Sequence, residues 1–296
     1  MASSVGCEAA PRIERIGHAP TLDHVIDRIL ELLGGRRVCV LTGAGISTDS
    51  GIPDYRGPDS PPRNPMTYQQ FVGDVAFRRH YWARNHLGWR YMDAARPNGG
   101  HRALARLERA GVVHGVITQN VDLLHTKAGS RHVIDLHGSY AQVRCLDCGH
   151  RISRMTLAER LDAANPGFAD TVAAATGVEI APDADAVVES TDHFRMVDCD
   201  RCRGMLKPDI VYFGESVPKP RVAAAFEMVA GADALLVVGS SLTVMSGLRF
   251  VRRAARDGMP IVIVNRGTTR GDEFAAIKAE LGSSEFLREL AAALPA

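Results

Sequence analysis

The chain has 296 residues, of which 46% are hydrophobic and 23% charged; this is the balance of a globular protein, not of a disordered, collagenous or low-complexity one. Its longest aliphatic runs, Ala234–Val238 and Ile261–Val264, fall far short of the roughly 18 residues a membrane span requires, so no membrane segment is expected. The 35 basic and 34 acidic residues leave a net charge of +1, without the basic excess that would point to nucleic acid as the main partner.

Residues 1–20 include Glu8, Arg12, Glu14 and Arg15 without an apolar stretch, and read as an N-terminal extension rather than a secretory signal. A helix is expected over Thr21–Leu33. Leu22, Val25, Ile26, Ile29, Leu30 and Leu33 recur at helical spacing, Thr21 can cap the start, and Gly34-Gly35 ends it. Val38–Thr42 is a short apolar strand that stops at Gly43, with Cys39 inside it as core. Similar runs return at Val116–Thr118, Val133–Leu136, Ile210–Phe213, Leu235–Val238 and Ile261–Val264. Helical stretches lie between several of them, at His101–Ala110, Arg221–Ala230 and Leu248–Arg256. Continuous apolar strands alternating with helices predict an α/β, doubly wound parallel sheet covered on both faces.

Two stretches break the alternation. Residues 57–100 open on the Pro-rich patch Gly57–Pro62 and continue as an aromatic, Arg-rich amphipathic region. Residues 140–205 are bracketed by cysteine pairs and hold a polar, Ala/Asp-rich stretch around Ala181–Ala186. Both read as insertions that build a smaller module.

Cys145/Cys148 and Cys199/Cys202 form two C-x-x-C pairs. Each such turn can bring two thiolates to one metal, and two turns complete the tetrahedron that zinc prefers, so one structural Zn2+ is expected. Thiolates kept for a metal also point to a reducing interior.

The Gly-rich turn after the first strand, Gly43-Ala44-Gly45-Ile46-Ser47-Thr48, lets backbone N–H groups approach a pyrophosphate, and Asp54-Tyr55-Arg56 beyond it suggests a loop closing over a ligand. Taken alone, Gly43-Ala44-Gly45 is equally an ordinary tight turn, and it is not G-x-G-x-x-G. Later strands also end in polar residues: Gln119, Asn120 and Asp122; Gly239, Ser240 and Ser241; Asn265, Arg266 and Gly267. Ligands of open α/β sheets sit at the carboxyl ends of strands, so these ends together predict a dinucleotide crevice. His137 ends an apolar run before Gly138 and can serve as a general base. Lys207–Glu215 starts as a Pro-bearing strand and turns at Gly214-Glu215. It is either an ordinary edge strand or one that pairs an extended peptide through Val211, Phe213, Gly214 and Glu215.

From about Leu33 to Ser283 these segments, in this order, resemble the sirtuin family of NAD-dependent protein lysine deacylases. Thr118–Ser130, Arg79–Asn85 and Gly239–Gly247 are most similar to its class II branch, which includes a mitochondrial animal member and many bacterial ones. The resemblance implies a Rossmann-type domain over residues 21–56, 101–139 and 206–296, with residues 57–100 and 140–205 as a small module of helical insertion plus zinc ribbon. NAD, consumed as co-substrate, and an acyl-lysine-bearing protein would meet in the cleft between them. By the same resemblance Gly43–Arg56 would wrap the phosphates and ribose, with Ser47 and Arg56 among the contacts. Asn120 and Asp122 would hold the nicotinamide and its ribose. His137 would deprotonate a ribose hydroxyl, giving amine, nicotinamide and O-acyl-ADP-ribose. Ser283 falls where class II members often carry a Cys near the adenine. Two other readings remain at this point, a protein mono-ADP-ribosyltransferase and a non-enzymatic NAD or ADP-ribose sensor. A cytoplasmic, bacterial location is expected ahead of the mitochondrial matrix.

Overall fold

The computed structural model describes residues 14–15, 22–57, 60, 65–168 and 191–294. The expected cap Thr21, most of the Pro-rich patch and the stretch around Ala181–Ala186 lie outside the described residues. In chain order the elements are β1 (Glu14–Arg15), α1 (Leu22–Leu33), β2 (Val38–Thr42), α2 (Tyr68–Gly73), α3 (Val75–Ala94), α4 (Gly99–Arg109), β3 (Val113–Thr118), α5 (Leu124–Ala128), β4 (Val133–Asp135), β5 (Gly138–Cys145) and β6 (Arg151–Ser153). They continue with α6 (Arg154–Ala164), β7 (Leu206–Ile210), α7 (Lys219–Ala230), β8 (Ala234–Val238), α8 (Met245–Arg256), β9 (Ile261–Val264), β10 (Ile277–Ala279) and α9 (Ser283–Ala293).

Seven strands form one parallel sheet in the order β1-β10-β9-β8-β2-β3-β4. The central strands β2, β8 and β9 are buried along their whole length because both faces are covered, and their period of two divides each between two cores. Val38 and Val40 of β2, with Val116, Leu236 and Val262, pack under α1, α4 and α9. Cys39 and Leu41, with Ile117, Leu235 and Ile261, pack under α7 and α8 on the other face. Each of these side chains is worth roughly 1.5–3 kcal/mol when fully buried, so a one-residue slip of β2 would exchange its two core sets. From β2 the chain builds outward through β3 and β4 on one side, and through β8, β9 and β10 on the other. The order reverses between β2 and β8, and that is where a crevice must open.

The small module has its own antiparallel sheet, β6-β5-β7, and an aromatic core of Phe71, Tyr81, Trp82 and Tyr212 against Val143, Leu157 and Phe194. One expectation is corrected here. The sequence predicts Ile210–Phe213 as a strand of the parallel sheet, but the strand spans Leu206–Ile210 and pairs antiparallel with β5. Apolar content does not say which sheet a strand joins. Pro208, which has no N–H to donate, is tolerated because β7 is an edge. In the N-terminal extension, Glu14–Arg15 adds a two-residue edge strand beside β10, which no periodicity in the sequence announces.

Gly138 joins the two sheets. It has φ +85°, and a Cβ there would overlap the Asp209 carbonyl oxygen of β7. Gly138→Ala is therefore expected to cost about 2–5 kcal/mol through the left-handed backbone and the overlap together. Thermal unfolding checks this; an unchanged Tm would mean that the joint is looser than its geometry.

Candidate functional site

A cleft of about 1140 Å³ opens at the carboxyl ends of the central strands, at the switch point between β2 and β8. The turns after these two strands interlock. Gly45 N–H donates to the Gly239 carbonyl at 2.9 Å, and a Cβ on Gly43 would stand 2.8 Å from that oxygen and from the Ser240 Cβ. Only glycine allows this approach. Two short 3₁₀ turns, Ala44–Ile46 and Thr48–Ser50, follow Gly43 in place of the long helix of an ordinary dinucleotide fold.

Gly43, Ala44, Gly45, Ser47 and Thr48 line the cleft, as do Asp54, Tyr55 and Arg56 of the loop beyond. Gln119, Asn120 and Asp122 enter after β3, and Gly239, Ser240 and Ser241 after β8. Asn265 and Arg266 follow β9, and Ser283 opens α9 at the rim. Gly267 is the candidate that does not reach the lining. Its carbonyl accepts from Asn265 Nδ2 (3.3 Å) and Lys278 Nζ (3.1 Å), so it shapes the turn that carries its neighbours.

Ser47, Asn120 and Asp122 form one network. Ser47 Oγ donates to Asp122 Oδ2 at 2.7 Å and accepts from Asn120 Nδ2 at 3.1 Å. It also lies 3.5 Å from His101 Nε2. His101 Nδ1 accepts from the Asn98 N–H, so the proton sits on Nε2 and points at Ser47. The Ser47 hydroxyl thus uses its one donor and both lone pairs inside the protein, and it orients its neighbours more than it offers a free group. Asn120 Nδ2 also donates to the Gly43 carbonyl at 3.1 Å. With both amide protons spent, the open atom of Asn120 is its carbonyl oxygen, an acceptor suited to an N–H donor in the ligand. Burial pushes the Asp122 carboxyl up, while the Leu124 N–H and Ser47 bonds pull it back.

His137 is held from both sides. Nδ1 lies 2.8 Å from the Gln119 carbonyl oxygen, which can only accept, so the ring proton is on Nδ1. Nε2 is then the lone-pair nitrogen and accepts from Ser246 Oγ at 2.8 Å. Burial lowers the imidazole from 6.5 to about 4; the Gln119 bond opposes this, and Arg221 and Arg249 add to it. The ring is therefore a neutral base with a fixed tautomer, and both it and the Ser246 that Nε2 meets line the cleft.

Val211, Phe213, Gly214 and Glu215 make the opposite wall. Val211 N–H donates to the His137 carbonyl at 2.7 Å, and Phe213 meets Tyr55 edge-on at 6.0 Å. The Glu215 carboxylate is engaged within the wall, with fully buried Lys207 Nζ at 2.9 Å and an Arg144 guanidinium nitrogen at 3.1 Å. Its charge holds the turn together, because removing one member of a buried pair strands the other.

Several residues here had no signal in the sequence. Ser246, His101, Asn98 and His125 touch or back the site, and each works through a partner far along the chain. Leu123 and Leu242 flank Asp122 and Ser241 at φ 59° and 54°, left-handed backbone that a leucine adopts only at a cost.

The four cysteines meet at the far end of β5. Their sulfurs all lie within 4.8 Å of one another, with Cys145–Cys202 at 3.5 Å and Cys148–Cys199 at 3.8 Å. Zn–S bonds of about 2.3 Å place tetrahedral sulfurs about 3.8 Å apart, so the cluster fits zinc. β5 runs from Gly138, next to His137, to Cys145, a span of roughly 20–25 Å at strand rise. A metal there supports the small module and does not reach the cleft.

Comparison with known proteins agrees with this geometry. The model of the Sir2 family matches residues 43–246. A Mycobacterium avium protein named NAD-dependent protein deacetylase 1 is 68% identical over 263 residues, which is 89% of this chain and 93% of its own. A Streptomyces coelicolor protein of the same name is 53% identical over 86% of this chain and 84% of its own. Among solved structures, a Sir2 with a p53 peptide and NAD+ superposes with a TM-score of 0.71 at 32% identity, covering 90% of this chain and 96% of that one. Sir2Tm bound to a propionylated peptide gives 0.70 at 30% identity, with the same shares of the two chains.

Proposed function

This chain belongs to the Sir2 family and is an NAD-dependent protein deacylase, and we propose that it moves the acyl group of a protein lysine onto ADP-ribose, with His137 as the base. The observation that supports this reading is one cleft holding the Gly43/Gly239 cradle, the Asn120–Asp122 network, a pre-set Nε2 on His137 and the Val211–Phe213 wall. Bound NAD supplies a ribose carbon open to the acyl oxygen, and nicotinamide as the leaving group. Gly43, Gly45 and Gly239 leave room for the pyrophosphate, and Arg56 and Arg266 line the same space with positive charge. Asn120 offers its carbonyl oxygen to the leaving amide, and Asp122 is held rigid beside it by Ser47 and the Leu124 N–H. His137 takes a proton at Nε2 from a hydroxyl that replaces Ser246 as its donor. The Gln119 carbonyl stabilises the imidazolium formed, through the Nδ1 proton. Water supplies the last oxygen, and the products are lysine amine, nicotinamide and O-acyl-ADP-ribose.

The relatives named above are bacterial, and no helix among the described residues is long and apolar enough to cross a membrane. We propose, from the bacterial relatives, a bacterial cytoplasmic location and acyl-lysine proteins as substrates.

Mass spectrometry of the protein incubated with NAD and acetyl-, succinyl-, branched acidic, lipoyl- and long-chain acyl-lysine peptides tests the reading. O-acyl-ADP-ribose from any peptide is the expected product. ADP-ribose attached to protein without any acyl substrate would redirect it to ADP-ribosyl transfer.

A pH prediction follows from His137. The base works only when neutral, and burial moves its protonation below 6.5, to about 4. As pH falls, kcat/KM, which reports the free enzyme, is therefore expected to hold through pH 6.5 and to decline only as the pH nears about 4. An acid limb centred at 6.5 would mean that His137 is not the group that titrates.

A further inference from the structure

Beside the cleft lies a second, smaller depression of about 280 Å³, lined by Phe226, Met245, Arg249, Arg252, Arg253 and Arg256. Phe226, Met245 and Arg249 line both cavities, so the depression is a continuation of the cleft mouth.

Its charge is one-sided. Arg249, Arg252, Arg253 and Arg256 stand at i, i+3, i+4 and i+7 on α8, which is one face of the helix. The opposite face, with Leu248, Val251 and Ala254, is buried under the sheet. Neighbouring like charges at these spacings weaken a helix, and among the described residues only Arg253 has a carboxylate within ion-pair distance, Asp257 at 2.5 Å. One more cation stands at this mouth: Arg270 donates to the Thr243 carbonyl at 2.6 Å and reaches Met245 Sδ at 3.8 Å, while exposed Lys219 lines the cleft itself. In a chain with a net charge of +1, this is a local segregation of positive charge. The floor is apolar, from half-buried Phe226 and exposed Met245.

We propose that this groove binds the substrate segment next to the acylated lysine and selects segments rich in Asp and Glu. The proposal rests on the deacylase reading above and adds a substrate class to it. Charge complementarity decides the occupant: an apolar floor with arginines on one wall suits an extended acidic peptide, whose alternate side chains meet guanidinium groups while its backbone lies over Phe226 and Met245. Arg249 to Arg256 is about 10 Å along the helix, the length of about three extended residues. Two acidic side chains two positions apart on one flank of the lysine, about 6–7 Å along an extended chain, fit within that span on one face.

The test uses the full-length protein and fluorescently labelled peptides with acidic, neutral or basic residues on either flank of the lysine. Each is made with the lysine acetylated and unmodified, and binding is read by anisotropy and turnover by nicotinamide release. At low ionic strength the peptide with acidic residues on one flank is expected to bind about tenfold more tightly than the neutral one, and added salt should erase the difference. The double variant Arg252→Glu/Arg256→Glu should invert the order, favouring the basic flank; a variant that gains a ligand is folded. Equal binding of acidic, neutral and basic peptides, or an order unchanged in the double variant, overturns the groove. So does loss of binding to a single-stranded oligonucleotide in that variant while the peptide order stays the same. Tight binding of the acidic peptide with no nicotinamide released from any acetylated one would leave the groove standing and sink the deacetylase reaction.

Discussion

Alanine at His137 is expected to lower kcat/KM for NAD-dependent deacylation by roughly 10²–10⁴-fold, the usual worth of one positioned general base. The expectation rests on two hydrogen bonds. The Gln119 carbonyl fixes the proton on Nδ1, and Ser246 marks where Nε2 accepts. Alanine removes the acceptor without touching the Gly43/Gly239 cradle or the Asn120–Asp122 network. NAD affinity, read by calorimetry, should therefore change little while turnover collapses. Ser246→Ala is the companion variant. It removes only the resting partner of Nε2, so its kcat/KM should stay within a few-fold of wild type. A His137→Ala protein that releases nicotinamide from acyl peptides at near wild-type rate would end the assignment of His137 as the base.

The second large effect is expected at the cysteines. Cys145 and Cys199 are buried in the same aromatic core as Phe71, Tyr81 and Trp82, and Cys145 ends the strand that starts at Gly138. Zinc bound by four cysteines contributes apparent free energies of about 10–16 kcal/mol, comparable to the roughly 5–15 kcal/mol that holds a whole domain folded. Cys199→Ser, or chelation of the native protein, should unfold the small module and expose it to proteolysis. Activity should be lost with it, because β7 pairs with β5 and carries the chain into the Val211–Phe213 wall. The seven-stranded sheet has its own two cores, so much of the far-UV circular dichroism should persist. Full activity in protein shown by metal analysis to hold no zinc would contradict this.

The reliable signals in the sequence were those with a local cause. Val38–Thr42 reads as a doubly covered strand because its first four residues are an unbroken apolar run, and it is buried along its whole length. The two C-x-x-C pairs read as one metal site because thiolates at that spacing have few other uses, and their sulfurs do converge. The glycines at 43, 45 and 239 stand where two turns cross with no space for a side chain. Where the sequence misled, the cause was non-local. Ile210–Phe213 carries the apolar content of any strand, but the strand is Leu206–Ile210, with Lys207, Pro208 and Asp209 inside it, and only its pairing with β5, about 65 residues earlier, places it in the small sheet.

The sequence by itself determined the alternation of strands and helices, the cysteine pairs as a candidate metal site, the glycine turns and His137 as the candidate base, because each is a demand made by a residue's own chemistry on its immediate neighbourhood. The tertiary structure alone decided which hydrogen bonds those residues make. Ser246 meets His137 across 109 positions, Ser47 meets Asp122 across 75, and Arg249 comes to stand at the mouth of two cavities. Such choices depend on where the folded sheet brings distant strand ends together. No local period encodes that distance, so the protonation of His137, the committed hydroxyl of Ser47 and the charge of the groove became legible only once the chain was folded.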